Sequence, residues 1–161
     1  IYVSSLTRTH QTAAPLAAHL GIDPVVEADL REVHLGEFEG GMFRQLSAEN
    51  HPAVVRMRET GDWGALPGGE TNEQLRSRTV GVIDRLAANH ADELIVVVCH
   101  GGVIAALLGH AMQQPARRYI GARNGSLTHV VVHGDSWMLR AFNDAAHTGG
   151  LTADHDPPPD L

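Results

Sequence analysis

The stretch Leu94-Ile95-Val96-Val97-Val98-Cys99-His100-Gly101-Gly102 runs into helically spaced residues from Val103 to Met112. Leu94 to Val98 is a continuous apolar run of the kind that fits a strand buried on both faces, as in a parallel sheet. A histidine closes the run, and two glycines lead into the helix. In open α/β sheets, ligands bind beyond the carboxyl ends of the strands. Glycines let backbone N–H groups approach an anion, and the helix N-terminus adds partial positive charge there. The junction therefore reads as an anion site, with His100 placed to donate to an oxygen. The plainer alternative is a polar residue ending a strand.

The same pattern recurs at the start of the chain. Ile1-Tyr2-Val3 is β-rich, Ser4-Ser5 breaks it, and Thr9 to Leu20 carries apolar residues at Ala13, Leu16, Ala17 and Leu20 before Gly21. That spacing predicts a helix with a glycine stop. Arg8 stands at its entrance, where a planar guanidinium can grip phosphate bidentately. Taken alone, it reads more readily as a solvated arginine at a helix entrance. Val25-Val26 predicts a brief strand. Residues 43–58 read as two helical pieces broken near His51-Pro52, because proline disfavours helix in the residue before it. Thr71-Asn72-Glu73-Gln74 is a capping box opening a helix to about Ala88, with Leu75, Thr79, Val82, Ile83 and Leu86 toward the core. Leu127 to Val132 and Trp137 to Phe142 read as two strands joined through a turn at Gly134-Asp135. Strands alternating with long helices indicate a layered α/β architecture: a mostly parallel sheet flanked by helices, in a three-layer sandwich.

The 161 residues are 43% hydrophobic and 19% charged, within the range of one globular domain. The net charge of −7 argues against a nucleic-acid partner. A phosphorylated ligand is compatible with it, since that needs only a local cationic cluster. The single cysteine, Cys99, permits no intrachain disulfide and gives no sign of an oxidising compartment. No apolar run is long enough to span a membrane, and no signal peptide is evident, so a cytoplasmic location without a membrane partner is expected. A homodimer remains open. Metal chemistry is not favoured: His129 and His133 are four apart on a predicted strand, where that spacing does not unite two ligands as it does on a helix. No Gly-x-Ser-x-Gly elbow exists for serine hydrolysis.

Several of these segments, in order and at compatible spacing, resemble the histidine phosphatase superfamily, which includes the phosphoglycerate mutases. They are Ser4-Ser5-Leu6-Thr7-Arg8-Thr9-His10-Gln11-Thr12-Ala13, Leu30-Arg31-Glu32-Val33-His34-Leu35-Gly36-Glu37-Phe38-Glu39-Gly40, Gly68-Gly69-Glu70-Thr71, Cys99-His100-Gly101-Gly102 and Phe142-Asn143-Asp144. The resemblance implies a phosphoglycerate-mutase-like domain over residues 1–147, and Pro157-Pro158-Pro159 marks 148–161 as a flexible tail. It implies Arg8 as a phosphate-binding arginine and Glu32 as the general acid for the leaving oxygen. It implies His100 as the histidine that stabilises the transferring phosphoryl group, assisted by the Gly101 N–H. His34 and Glu70 fall near the pocket in comparable members. The substrate class would be a small-molecule phosphate ester, with no metal or other cofactor.

One departure is specific. The family's Arg-His-Gly, which ends its first strand and carries the nucleophilic histidine, occurs nowhere in this sequence. A covalent mechanism needs a nucleophile opposite the leaving group, and His100 cannot serve both roles. The expectation is therefore an enzyme whose nucleophile lies upstream. The chain by itself would be inactive, and its sheet would lack a central strand. A non-catalytic binding protein is the alternative. The compact interval from Glu32 to His100 resembles the phosphatase branch more than the mutases. Substrate specificity is expected from the Gly40 to Gly69 region, where Phe43, Met57 and Trp63 either line a lid or pack the core.

Overall fold

The computed structural model describes residues 1–149. Three short strands, β1 (Tyr2–Val3), β2 (Val25–Val26) and β3 (Val97–Val98), form a parallel sheet in the order β2-β1-β3. Among the described residues there are five α-helices: α1 (Thr7–Leu20), α2 (Met42–Ala48), α3 (Pro52–Thr60), α4 (Asn72–Asn89) and α5 (Gly101–Ala111). An antiparallel hairpin, β4 (Leu127–His133) and β5 (Ser136–Asp144), forms a second sheet. The two sheets share no hydrogen-bonded pair among the described residues, so β3 is paired on one side only.

The strand is shorter and less covered than the apolar run at 94–98 predicts. Only Val97 and Val98 form regular strand, although the Val96 carbonyl still accepts the Tyr2 N–H (2.8 Å). Leu94 is 88% exposed and the rest of the run is half-buried, so the strand is not covered on both faces. An apolar run reports what could be buried, and a strand with one neighbour cannot bury it all.

The core lies between α4 and α5. Leu75, Val82, Ile83 and Leu86 meet Val103 and Ala106, and Leu30 and Val33 close the cluster. Tyr2 and Val97 pack against it from the sheet, while the alternating residues Val3 and Val98 point the other way. The predicted capping box opens α4: Gln74 N–H donates to the Thr71 hydroxyl (3.1 Å), and Thr71 N–H donates to the Gln74 side chain (2.8 Å). Every core position predicted on this helix is buried. On α1 the helix is present, but Leu16 and Leu20 are exposed and only Thr9 and Ala13 are buried. A helical period fixes a face without saying how far along it the neighbours extend.

A smaller cluster joins Phe38, Val54, Met57 and Leu66. Phe43 and Trp63 pack against it, their ring centroids 5.6 Å apart. Packing is thus what Phe43, Met57 and Trp63 do in this structure. The tail expected from residue 148 falls, from 150 onward, outside the described residues. Ala146–Thr148 form a single 3₁₀ turn.

Candidate active site

The carboxyl ends of β1 and β3 lie side by side, and the residues that follow each strand converge. His100 caps α5 with an extended backbone and is 6% exposed. Arg8, in the first turn of α1, donates from Nε to His100 Nδ1 at 3.2 Å. On the other side of the ring, His100 Nε2 stands 2.8 Å from the hydroxyl of Ser4, a fully buried residue just after β1. Burial, then the positive charges of Arg8 and Arg78, pushes the His100 pKa down to about 4, so the imidazole is neutral at pH 7.

Glu32 arrives from the loop after the 3₁₀ turn Ala28–Leu30. Its carboxylate accepts the Gly102 N–H (3.3 Å) and the Val33 N–H (3.0 Å). The acid therefore sits on the first turn of α5, two residues from His100. Glycine leaves room for the carboxylate in that position: a Cβ on residue 102 would stand 2.5 Å from Glu32 Oε1 and displace it. Gly101 opens the same turn, whose amide dipoles favour an anion. The structure brings together Arg8, Glu32, His100 and Gly101, as the sequence analysis expected.

His34 and Glu70 lie one step away. His34 N–H donates to Glu70 Oε2 (3.1 Å), and Glu70 N–H donates to the His34 carbonyl (2.8 Å). Arg78 completes this arrangement. Its Nε and Nη2 grip both oxygens of Glu70 (2.6 and 2.8 Å). Its Nη1 donates to the carbonyls of Asp29 and Arg31, and Nη2 also to that of Glu32 (3.2 Å). Burial raises the Glu70 pKa, but the bonds from Arg78 and the His34 backbone outweigh it and leave the carboxyl below its ordinary value. Glu70 is thus a tether and Arg78 a clamp on the loop that presents Glu32.

Gly36, at φ +60°, lets this loop press on Pro67-Gly68, with Glu37 N–H donating to the Pro67 carbonyl (3.0 Å). An open depression of about 620 Å³ lies beside the clamp, lined by His34, Gly68, Gly69, Glu70, Gln74, Ser77 and Arg78. Neither Arg8 nor His100 lines it, so it adjoins the site without being its centre.

Other polar candidates lie elsewhere or are inert. Desolvation pushes the Cys99 thiol up to about 12, so it carries no thiolate at pH 7. His10 is exposed on α1. His129 and His133 lie on the exposed side of β4. Sequence reasoning missed Ser4 and Arg78. Ser4 could have been suspected from its place at the strand end directly before the Arg8 segment. Arg78 gave no local signal, because it acts through carbonyls 46 to 49 residues away.

Comparison with known proteins settles the family. A profile of the histidine phosphatase superfamily, branch 1, matches residues 1–145. The chain belongs to that superfamily. Phosphoglycerate mutase-like protein 4 of Arabidopsis thaliana is 31% identical over 151 residues, which cover 91% of this chain and 65% of that protein. A metal-independent phosphoserine phosphatase, also from Arabidopsis thaliana, is 28% identical, with coverages of 94% and 63%. The chain thus spans just under two thirds of the length of both relatives. A mycobacterial glucosyl-3-phosphoglycerate phosphatase, solved with inorganic phosphate, is 32% identical with a TM-score of 0.75. The match covers 91% of this chain and 77% of that one.

Proposed function

We propose that the full-length protein is a phosphomonoesterase that works through a phosphohistidine intermediate on a small phosphorylated metabolite. The observation that carries this is the convergence of Arg8, His100, Glu32 and the first turn of α5 on one side of adjacent strand ends. Phosphoryl transfer is mainly positioning and charge stabilisation. Arg8 and the α5 amides neutralise the equatorial oxygens, and His100 stabilises them in the transition state. Glu32 gives a proton to the leaving ester oxygen as the P–O bond breaks. It takes one from water when the phosphohistidine is hydrolysed.

Neither His100 nor Cys99 suits the nucleophile's part. Both ring nitrogens of His100 are engaged, and Cys99 stays protonated. The reading therefore requires an attacking histidine other than His100. The short interval from Glu32 to His100, occupied by α2, α3 and α4, favours hydrolysis over mutase chemistry. Relatives named as a metal-independent phosphoserine phosphatase and a glucosyl-3-phosphoglycerate phosphatase support the same reading.

The test is hydrolysis of a generic aryl phosphate by the full-length protein in excess EDTA. Turnover is expected to persist, with an acid-labile phosphoenzyme on rapid quenching. Complete loss in EDTA, restored by a divalent metal, would contradict the mechanism.

A further inference from the structure

The bonds around His100 specify its tautomer. An arginine Nε always carries hydrogen and never accepts, so Nδ1, 3.2 Å from Arg8 Nε, presents its lone pair. A neutral imidazole with a lone pair on Nδ1 carries its hydrogen on Nε2. Nε2 therefore donates to the Ser4 hydroxyl at 2.8 Å.

The remaining bonds close consistently around that choice. Ser4 Oγ also accepts the Leu6 N–H (3.2 Å), leaving its own hydrogen for Thr9 Oγ1 (3.1 Å). Thr9 in turn donates to the Leu6 carbonyl (2.8 Å). Ser4 is fully buried and Thr9 is 2% exposed, so water does not compete for these groups. The other tautomer would set two donors against each other at Nδ1 and Arg8 Nε.

We propose that Ser4 is a positioning residue that fixes His100 with its hydrogen on Nε2, and that a phosphoryl group enters together with about one proton, taken up at Nδ1. A lone pair at Nδ1 repels an anionic oxygen. When that oxygen takes over the Arg8 contact, a solvent proton bonded to Nδ1 turns the repulsion into a charge-assisted hydrogen bond. The charged groups acting on this ring are Arg8 from α1 and Arg78 from α4, while Glu32 is held two residues away on the Gly102 amide. Burial, then the two cations, disfavours imidazolium, and a bound dianion offsets the cations. The uptake half of the inference rests on the phosphoryl-transfer reading above, whereas the tautomer half does not.

The test uses full-length protein labelled with ¹⁵N-histidine and long-range ¹H–¹⁵N correlation at mildly alkaline pH, where inorganic phosphate is dianionic. The free protein should show His100 protonated at Nε2 and bare at Nδ1. Inorganic phosphate should move Nδ1 to the protonated range. Calorimetry in two buffers of different ionisation enthalpy should register the matching uptake. Ser4→Ala should mix the tautomers and lower kcat about tenfold with little change in KM, the scale of one lost hydrogen bond. Ser4→Thr should recover most of that loss. A bare Nε2 in the free wild-type protein, or no proton uptake on phosphate binding, would overturn the proposal. The stated tautomer in a protein that hydrolyses no phosphate ester would support Ser4's role and count against the phosphomonoesterase reading.

Discussion

Gly102→Ala separates the chemistry of the site from the stability of the fold. Gly102 lies inside α5 at an ordinary helical φ, so alanine there is conformationally favourable by up to about 1 kcal/mol. The added Cβ would stand 2.5 Å from Glu32 Oε1 and 3.4 Å from its carboxyl carbon. The helix backbone cannot yield, so the carboxylate, the free end of a flexible side chain, swings away. It then loses the Gly102 N–H, a bond to a charged group worth roughly 1.5–3 kcal/mol at most. The loss exceeds the gain by roughly 0.5–2 kcal/mol, so Tm should fall by only several degrees, since about 1 kcal/mol shifts a domain of this size by roughly 2–4 °C. Activity should respond very differently. Displacing a catalytic group by about 1 Å can cost on the order of 10²-fold. The assay is kcat for an aryl phosphate beside thermal unfolding, in the full-length protein. Wild-type kcat in Gly102→Ala would show that the carboxylate on the α5 amide is not the working acid. A collapse in Tm by tens of degrees would show that the carboxylate does not yield.

The structure carries further expectations. His100 titrates at about 4 when folded against 6.5 as its ordinary value, so between those pH values the unfolded chain binds a proton that the native state refuses. Stability should therefore fall as pH drops from 6.5 toward 4, by roughly 3 kcal/mol at most from this residue. In urea unfolding, His100→Gln should show a shallower dependence over that window, and identical slopes would refute the assignment. Arg78→Lys should destabilise by roughly 2 kcal/mol or more, because an ammonium cannot serve Glu70 and three carbonyls from one plane. It should lower kcat as the Glu32 loop loosens, and an unchanged melting temperature would refute the clamp.

Much of the site was legible because its signals are local. A strand end followed by Gly101-Gly102, and another followed by Arg8 at a helix entrance, each specify geometry within ten residues. In a parallel sheet the ends of β1 and β3 must then face the same way. Thr71 and Gln74 announced the start of α4 because a capping box is complete within four residues. What escaped depends on distant partners. The run at 94–98 looked like a covered strand, yet how much of it is buried depends on whether strands lie on both sides of β3. Leu16 and Leu20 follow helical period but end beyond the elements that α1 packs on. Arg78 spends its donors on backbone carbonyls of another segment, which no periodicity encodes. Ser4 was visible as a strand breaker, while its bond to His100 spans 96 residues.

The central claim is that Arg8, Glu32 and His100 together hold and transfer a phosphoryl group. The most direct measurement is kcat/KM for an aryl phosphate in the full-length protein, compared with folded Arg8→Ala, Glu32→Gln and His100→Ala variants. Each variant should fall by on the order of 10²-fold or more, the scale of a lost charge-stabilising donor or general acid. Near-normal values for all three would contradict the account.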